Sequence, residues 1–315
     1  MKSEITENSN KEERKKKTLM ISVGIVTLLL ACAIIVLAIL GNVERAEEVS
    51  QSISFSESVA ETEATTKVTT TTTPATTPTT TTTTTVTTAV TFPPFSNGLY
   101  KQVQNMKQNY NGDTIAWVRV QGTNVNYAVT KKGENDGAND YYINHDFYNR
   151  YSAAGHVFMD FRARFGEKDS EQSDVITLYG HNQANNTMFG SLRYYKTNYY
   201  FYEQYPIIEL SSLYRDYQYK IFSFMIVDGS EHTDFDYWNY VEFSNQEEYE
   251  TFMAKLAKHQ LIQTNVDVKY TDKLLMLSTC NSGSASDWNR FVIVARRVRD
   301  GEDPYAGVAG SVRLR

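Results

Sequence analysis

The sequence predicts a mainly β domain over residues 96–315, a barrel or a sandwich with peripheral helices. Two observations lead to this fold class. The apolar segments are short, often alternating or rich in β-branched residues, and clusters of Gly, Asn and Asp separate them. Hydrophobic residues make up 41% of the chain, with 22 Tyr and 15 Phe, which is enough for a sizeable core. We therefore expect one domain of ordinary size in this part of the chain.

A short helix is expected before the strands. Leu99, Val103 and Met106 follow each other at spacings of four and three, the pattern of an amphipathic helix. After Gly112 the pattern becomes strand-like. The eight candidate strands are residues 114–120, 125–129, 156–161, 174–179, 207–210, 217–227, 273–279 and 290–298.

A long insert separates the last two strands from the others and contains a second helix. Ser244 and Glu247 have the spacing of a capping box. One face of the helix is apolar and is expected to pack on the barrel. That face consists of Tyr249, Phe252, Met253, Leu256 and Ala257.

The N-terminal part of the chain predicts a membrane anchor. Residues 1–17 are basic and are expected to be cytoplasmic. Residues 18–41 are expected to span the membrane, because the uncharged run from Leu19 to Leu40 would be roughly 33 Å long as a helix. The positive-inside rule then predicts a single-pass protein of the cell membrane with its folded domain outside. A cleaved signal peptide is the alternative, although its apolar region is usually shorter.

Residues 42–95 predict a stalk. The segment is rich in Thr and Pro and cannot bury enough apolar surface to offset its ordering entropy, so we expect it to be extended and disordered. It is either a plain spacer or an O-glycosylated stalk.

The composition also argues against some classes of function. A net charge of −6 argues against a nucleic-acid binder, because phosphate binding usually needs a basic patch. No carboxylate-rich loop or Cys/His pair has the spacing of metal ligands, so we expect neither a metal nor a cofactor.

Cys280 is the first candidate site residue. It ends the apolar run of residues 273–280, and the only other cysteine, Cys32, lies in the predicted membrane segment. Cys280 is therefore expected to be a free thiol, either reactive or buried and inert. Its place at a strand end, with the cationic Arg290 on the next strand, favours a reactive thiolate.

A cysteine nucleophile needs a general base or an ion-pair partner. His181 follows a strand and the turn residue Gly180, so a rigid strand delivers it to a rim of the fold. His145, His156, His232 and His259 remain as alternatives.

Arg290 is the candidate for stabilising negative charge. It opens the last strand, close to Cys280 in the chain, where a guanidinium can donate to a developing oxyanion. The alternative is an ordinary surface cation. Arg296, Arg297 and Arg299 compete for the role but lie further along the chain.

Together these residues resemble a known family, the sortases. Residues 276–280 (Met-Leu-Ser-Thr-Cys) are similar to the TLxTC motif of that family, matching it at Leu277, Thr279 and Cys280. Residues 179–182 (Tyr-Gly-His-Asn), followed by Met188 and Phe189, resemble its histidine motif. Arg290 stands ten positions after the cysteine, as the catalytic arginine does in the family. The resemblance covers roughly residues 96–300.

The resemblance implies a sortase-like closed barrel of about eight strands and, within the family, class B. The helix before the first strand and the helix-bearing insert before the cysteine strand both resemble that class. The chain departs from the family at two positions. Met276 stands where the motif usually has threonine, and Asn281 stands where class B enzymes often have an acidic residue.

The implied activity is transpeptidation by residues 96–315 acting as an extracellular catalytic domain. Cys280 would attack the carbonyl of a threonine in a C-terminal sorting signal of a secreted protein. His181 would protonate the departing amine and Arg290 would stabilise the oxyanion, with Ser278, Thr279 and Asn281 in the substrate site. An amine of a peptidoglycan precursor or a pilin would then resolve the thioester. The alternatives are a secreted cysteine peptidase that only hydrolyses and a non-catalytic stalked surface protein.

Overall fold

The structure is a computed structural model that describes residues 92–165, 168–198, 200–282 and 288–314. The predicted basic segment 1–17, the predicted anchor 18–41 and residues 42–91 of the predicted stalk lie outside the described residues. The longest described helix has 14 residues, whereas a membrane span needs about 20. No helix in the described part of the chain is long and apolar enough to cross a membrane. This finding contradicts the predicted localisation as a single-pass membrane protein, and that prediction is withdrawn.

Ten strands are found in the described residues, and eight of them form a closed barrel. Their order around the barrel is β1-β2-β3-β4-β8-β9-β6-β5, and β7 pairs with β10 in a separate small sheet. The fold class predicted from the sequence is therefore confirmed. The strands are β1 Thr114–Val120, β2 Asn126–Thr130, β3 Phe158–Met159, β4 Val175–Tyr179, β5 Ile207–Ser211, β6 Asp216–Asp228, β7 Ile262–Gln263, β8 Leu274–Cys280, β9 Asn289–Arg297 and β10 Val312–Arg313.

Four α-helices lie around the barrel among the described residues. They are α1 Leu99–Asn109, α2 Tyr194–Thr197, α3 Phe201–Gln204 and α4 Gln246–His259. The helix expected before the first strand is α1, and the helix expected in the insert is α4. Helix α4 begins one residue later than the capping-box spacing predicts. Asn245 is its N-cap and accepts from the backbone N–H of Glu248 at 2.9 Å, while Glu248 accepts from the backbone N–H of Ser244 at 2.7 Å.

Strands β8 and β9 are buried on both faces, which explains why they read as continuous apolar runs. Leu275 and Leu277 belong to the cluster inside the barrel. Leu274 and Met276 belong to a second cluster, which α4 covers with Phe252 and other apolar side chains. The predicted face of α4 is buried at Tyr249, Phe252 and Leu256 and partly buried at Met253, whereas Ala257 is exposed. Met276 replaces the threonine of the motif at a position that packs beneath this helix.

The C-terminal segment around Glu302 lies at the end of the barrel away from Cys280. The small sheet pairs Val312 with Gln263 and Arg313 with Ile262. Glu302 accepts hydrogen bonds from Arg296 of β9 and from Lys220 of β6, two cations whose side chains are almost completely buried. Burying a charge is costly unless it is paired, so this segment stabilises the barrel by neutralising them.

Candidate active site

The register of two parallel strands brings His181 and Cys280 to the same rim of the barrel. β4 and β8 pair in parallel, and Tyr179 lies opposite Ser278. His181 and Cys280 are each two residues beyond this pair. Because parallel strands end at the same edge of a sheet, the imidazole and the thiol are delivered to one place although almost a hundred residues separate them in the chain.

The next strand adds Arg290. β8 and β9 pair antiparallel, and Cys280 lies directly opposite Arg290. Side chains that face each other in this way start from Cβ atoms about 5 Å apart. Cys280 is a free cysteine and is partly exposed. The thiol therefore has a guanidinium as its immediate cross-strand neighbour.

These three side chains line one cleft of about 410 Å³. The remaining lining residues include aromatic side chains from the β6–α4 connection and from β4, together with the loop that contains Ile143. The full lining is Asn139, Asp140, Ile143, Phe158, Tyr179, Gly180, His181, Gly229, Tyr237, Trp238, Ser278, Thr279, Cys280 and Arg290. We call it the active-site cleft.

His181 is the histidine that lines this cleft. Of the four alternatives, His145 stacks on Tyr141, His259 Nε2 lies 2.9 Å from Asp234, and His232 lies in an exposed loop. His156 is buried, and burial lowers its pKa to about 4, so it stays neutral near pH 7. His181 thus lies at the rim of the barrel, where the sequence places it, and its catalytic role stays a prediction.

The orientation of His181 is set by a backbone carbonyl. Its Nε2 lies 2.7 Å from the carbonyl oxygen of Ile143. A carbonyl only accepts, so Nε2 carries a hydrogen and Nδ1 is the ring nitrogen that can gain or lose a proton. Gly155 makes this approach possible. It has a φ of 58°, and a Cβ there would lie 2.5 Å from the Ile143 oxygen and 3.0 Å from the His181 ring.

Arg290 is held by backbone groups. Its Nη1 donates to the carbonyl of Trp288 at 2.8 Å. Gly229, the residue after β6, lies beside its side chain, and a Cβ on Gly229 would come within 2.7 Å of Arg290 Cγ. The absence of a side chain at residue 229 therefore leaves the space that the arginine occupies.

The competing arginines lie at the other end of β9. Arg296 is six residues from Arg290, which is about 20 Å along a strand. It donates to Glu302 and to the carbonyl of Asp267, and Arg299 is paired with Asp267 and Asp272. Arg297 donates to Gln172. None of these three arginines is among the residues that line the active-site cleft.

Two of the three predicted substrate residues line the cleft. Ser278 shares a 2.7 Å hydrogen bond with the hydroxyl of Tyr237, whose pKa is raised to about 12 by burial. Thr279 is buried, and its Oγ1 has no hydrogen-bond partner in the part of the chain that the structure describes.

Asn281 is placed differently. It is not among the lining residues, and Lys196 of α2 binds both its backbone oxygen and its Oδ1, at 2.6 and 2.7 Å. The acidic residue that the resemblance leads one to expect after the cysteine is thus replaced by an asparagine that a lysine binds.

The sequence patterns miss two features of the site. The Asn182 side chain donates to the carbonyl of Cys280 at 2.9 Å, although the motif marks it only as the neighbour of His181. Below the rim, buried Asp160 binds Arg162 and the hydroxyl of Tyr179. Burial favours the neutral acid, but the hydrogen bonds from Arg162 outweigh it and lower the pKa of Asp160. No local pattern signals this network, because Tyr179 reaches Asp160 only when β3 and β4 lie side by side.

Comparisons with known proteins show which family the chain resembles. The family model of the sortase domain matches residues 118–298. Sortase B of Staphylococcus aureus is 32% identical over 193 residues, which cover 61% of this chain and 73% of that protein. Sortase B of Listeria monocytogenes is 28% identical over 203 residues, covering 64% of this chain and 76% of that protein. A crystal structure of a sortase B complexed with triglycine is similar with a TM-score of 0.54 and 28% identity, covering 64% of this chain and 87% of that one.

Proposed function

We propose that this chain, which belongs to the sortase family and is a class B cysteine transpeptidase, uses Cys280, His181 and Arg290 to cleave a sorting signal after a threonine. The signal would lie near the C-terminus of a secreted protein. The observation that carries the residue assignment is the strand register. Tyr179 opposite Ser278 and Cys280 opposite Arg290 bring an imidazole, a thiol and a guanidinium into one cleft.

The first half of the reaction forms a thioester. The Cys280 thiolate adds to the threonine carbonyl, and the negative charge that develops on the oxygen is stabilised by Arg290. The carbon–nitrogen bond then breaks. His181 in its imidazolium form gives a proton to the departing amine, and the threonine is left attached to sulfur. This step needs the proton on Nδ1, because Nε2 donates to the Ile143 carbonyl.

The second half reverses these roles. A primary amine attacks the thioester carbonyl, neutral His181 takes a proton from it, and the tetrahedral intermediate expels the Cys280 thiolate. The product carries a new amide bond. We propose an amine of a peptidoglycan precursor or of a pilin as the natural acceptor. The similar sortase B solved with triglycine makes that peptide a suitable first acceptor to try, since it has a primary amine.

The experiment combines the full chain with a panel of threonine-containing sorting peptides and triglycine. Mass spectrometry would look for an acyl adduct on Cys280 and for a peptide ligated to triglycine. We expect both, and the peptide that reacts would identify the recognised motif. The control variant Cys280→Ala should give neither.

Three other outcomes would change the proposal. An adduct followed only by hydrolysed product would favour a peptidase-like reaction with these substrates. Ligated product from Cys280→Ala would contradict the assignment of the nucleophile. No adduct with any peptide, together with an unreactive Cys280 thiol, would contradict the proposed use of the cleft.

A further inference from the structure

A lysine outside the active-site cleft holds the residue that follows Cys280. The Nζ of Lys196, in α2, donates to the backbone oxygen of Asn281 at 2.6 Å and to its Oδ1 at 2.7 Å. The same ammonium lies 5.4 Å from the centre of the Phe291 ring on β9. Lys196 therefore connects the end of β8 with the beginning of β9.

A second side chain acts on the preceding peptide. Asn182, next to His181 in the chain, donates to the carbonyl of Cys280 at 2.9 Å. The backbone N–H of Asn281 in turn donates to the carbonyl of Asn289 at 2.9 Å. Two consecutive carbonyls at the nucleophile are thus bound by side chains from two different segments.

The C-terminal strand supports Lys196 from behind. Arg313 donates to the carbonyl of Lys196 at 2.6 Å. Arg313 pairs with Ile262 in the small sheet, and the backbone N–H of Leu314 donates to the carbonyl of Leu261 at 2.9 Å. A short chain of contacts therefore runs from β10 through Lys196 to the residue beside the thiol.

We propose that Lys196 is a positioning residue for transpeptidation, which fixes the Cys280–Asn281 backbone so that the thiol stays directed into the cleft. The proposal rests on the proposed function, because it takes Cys280 as the nucleophile. A displacement of about 1 Å in a reacting group can cost about 10²-fold in rate. A charged donor to neutral oxygens makes a stronger hydrogen bond than a neutral donor, so an ammonium is well suited to hold this strand end. Arg313 assists by holding the backbone of Lys196.

The contact is bidentate and concerns one residue. Lys196 binds the backbone oxygen and the Oδ1 of Asn281 at the same time, so it fixes both the backbone and the side chain of that residue. Its loss should therefore change the position of Asn281.

The first test measures, without any substrate, how firmly the Asn281 backbone is held. Hydrogen exchange of the Asn281 amide is compared in the full-length wild-type chain and in Lys196→Met, Lys196→Arg and Lys101→Met. We expect exchange to rise about tenfold in Lys196→Met, because the local structure opens more often. Lys196→Arg should restore slow exchange, since it keeps charged donors. Lys101, an exposed lysine on α1, is the matched control and should have no effect.

The second test separates positioning from substrate binding. With the peptide that the wild-type chain ligates to triglycine, we expect Lys196→Met to lower kcat by about 10- to 100-fold and to change KM by less than about twofold. Asn281→Ala removes only one of the two contacts and should lower kcat less. The double variant should be no worse than Lys196→Met alone, because both changes remove one interaction.

The proposal is overturned by unchanged exchange of the Asn281 amide in Lys196→Met, or by an unchanged kcat. A general rise in exchange across β4 and β8, not corrected by arginine, would equally contradict a local role. Activity in Cys280→Ala would instead contradict the proposed function, and the exchange measurement would still decide whether Lys196 holds the strand end.

Discussion

The two ends of strand β9 carry arginines in opposite situations. Arg290, at the cleft, donates to the carbonyl of Trp288, and no carboxylate among the described residues lies within ion-pair distance of it. Arg296, at the other end, is almost completely buried and binds Glu302 and the carbonyl of Asp267. With Lys220, Asp267, Asp272, Arg299 and Glu302 it forms what we call the basal charge cluster.

The difference separates an arginine that can act on a substrate from one that stabilises the fold. A guanidinium already paired with carboxylates has little charge left to offer a developing oxyanion. One held only by a backbone carbonyl keeps its charge and can exchange that bond for a substrate oxygen. We therefore expect changes at the cleft to lower activity with little effect on stability, and changes at the basal charge cluster to do the reverse.

The largest effect on activity is expected from the thiol and the imidazole. Cys280→Ala should abolish ligation of the peptide to triglycine. His181→Ala should lower kcat by about 10²–10⁴-fold, the usual contribution of general acid–base catalysis. His145→Ala is the matched control, because His145 stacks on Tyr141 and does not line the cleft. Steady-state rates of ligation measure all three. Equal losses in His181→Ala and His145→Ala would contradict the assignment.

Arg290→Ala should lower kcat by about 10²–10³-fold, as the loss of one oxyanion donor does elsewhere. Its urea unfolding midpoint should stay close to that of the wild type, because the arginine makes no ion pair with a described carboxylate. Near-normal activity in this variant would move the role of oxyanion donor to another group.

Arg296→Met should show the opposite behaviour. It removes the guanidinium that binds Glu302, and breaking a buried charge network typically costs about 3–5 kcal/mol. The free energy of unfolding, measured with urea, should fall by that order. The kcat of the protein that remains folded should change by less than about twofold. A large loss of kcat in folded Arg296→Met would show that both ends of β9 contribute to activity. It would contradict the division between a catalytic and a stabilising arginine.

Gly229→Ala should give a smaller effect at the cleft. A Cβ there would lie 2.7 Å from Arg290 Cγ, so the arginine must move. We expect kcat to fall about tenfold, since misplacing a catalytic group costs less than removing it. Gly112→Ala is the control, because no atom lies within 4 Å of the added Cβ. Equal kcat values in the two variants would show that the space at residue 229 does not matter.

Much of the fold could be predicted from the sequence, because the patterns that predict strands and helices are local. Alternation in β1 and the apolar runs of β4, β8 and β9 predict strands almost at their observed limits. The predicted strand 156–161 is reduced to Phe158–Met159. Its first residue, His156, instead binds the carbonyls of Tyr142 and Ala128 with its backbone and ring.

Site residues that stand at a strand end can be predicted from the sequence. Contacts between segments that are distant in the chain cannot. Cys280, His181 and Arg290 each stand at a strand end with a recognisable motif. The hydrogen bond from Asn182 to Cys280 and the contact of Lys196 with Asn281 join segments about a hundred residues apart, so no pattern along the chain signals them. The role of the C-terminal residues could not be predicted for the same reason, since Glu302 acquires its partners only when β6 and β9 lie side by side.

The smallest expected effect concerns how stability depends on pH at the basal charge cluster. Burial favours the neutral form of Glu302, but hydrogen bonds from Arg296 and Lys220 outweigh it and hold the pKa at about 2, below its ordinary value of 4.5. A depressed pKa contributes stability that is fully present above about pH 4.5 and is lost as the pH falls toward 2. Glu302→Gln lacks this dependence, so its deficit in unfolding free energy should shrink as the pH is lowered through that range. Urea unfolding between about pH 3 and 7 measures it. Gly112→Ala, whose added Cβ meets no atom within 4 Å, is the control whose difference from wild type stays constant. A deficit that does not change with pH would mean that Glu302 acts by packing and not by charge, and the basal charge cluster would lose its contrast with the cleft.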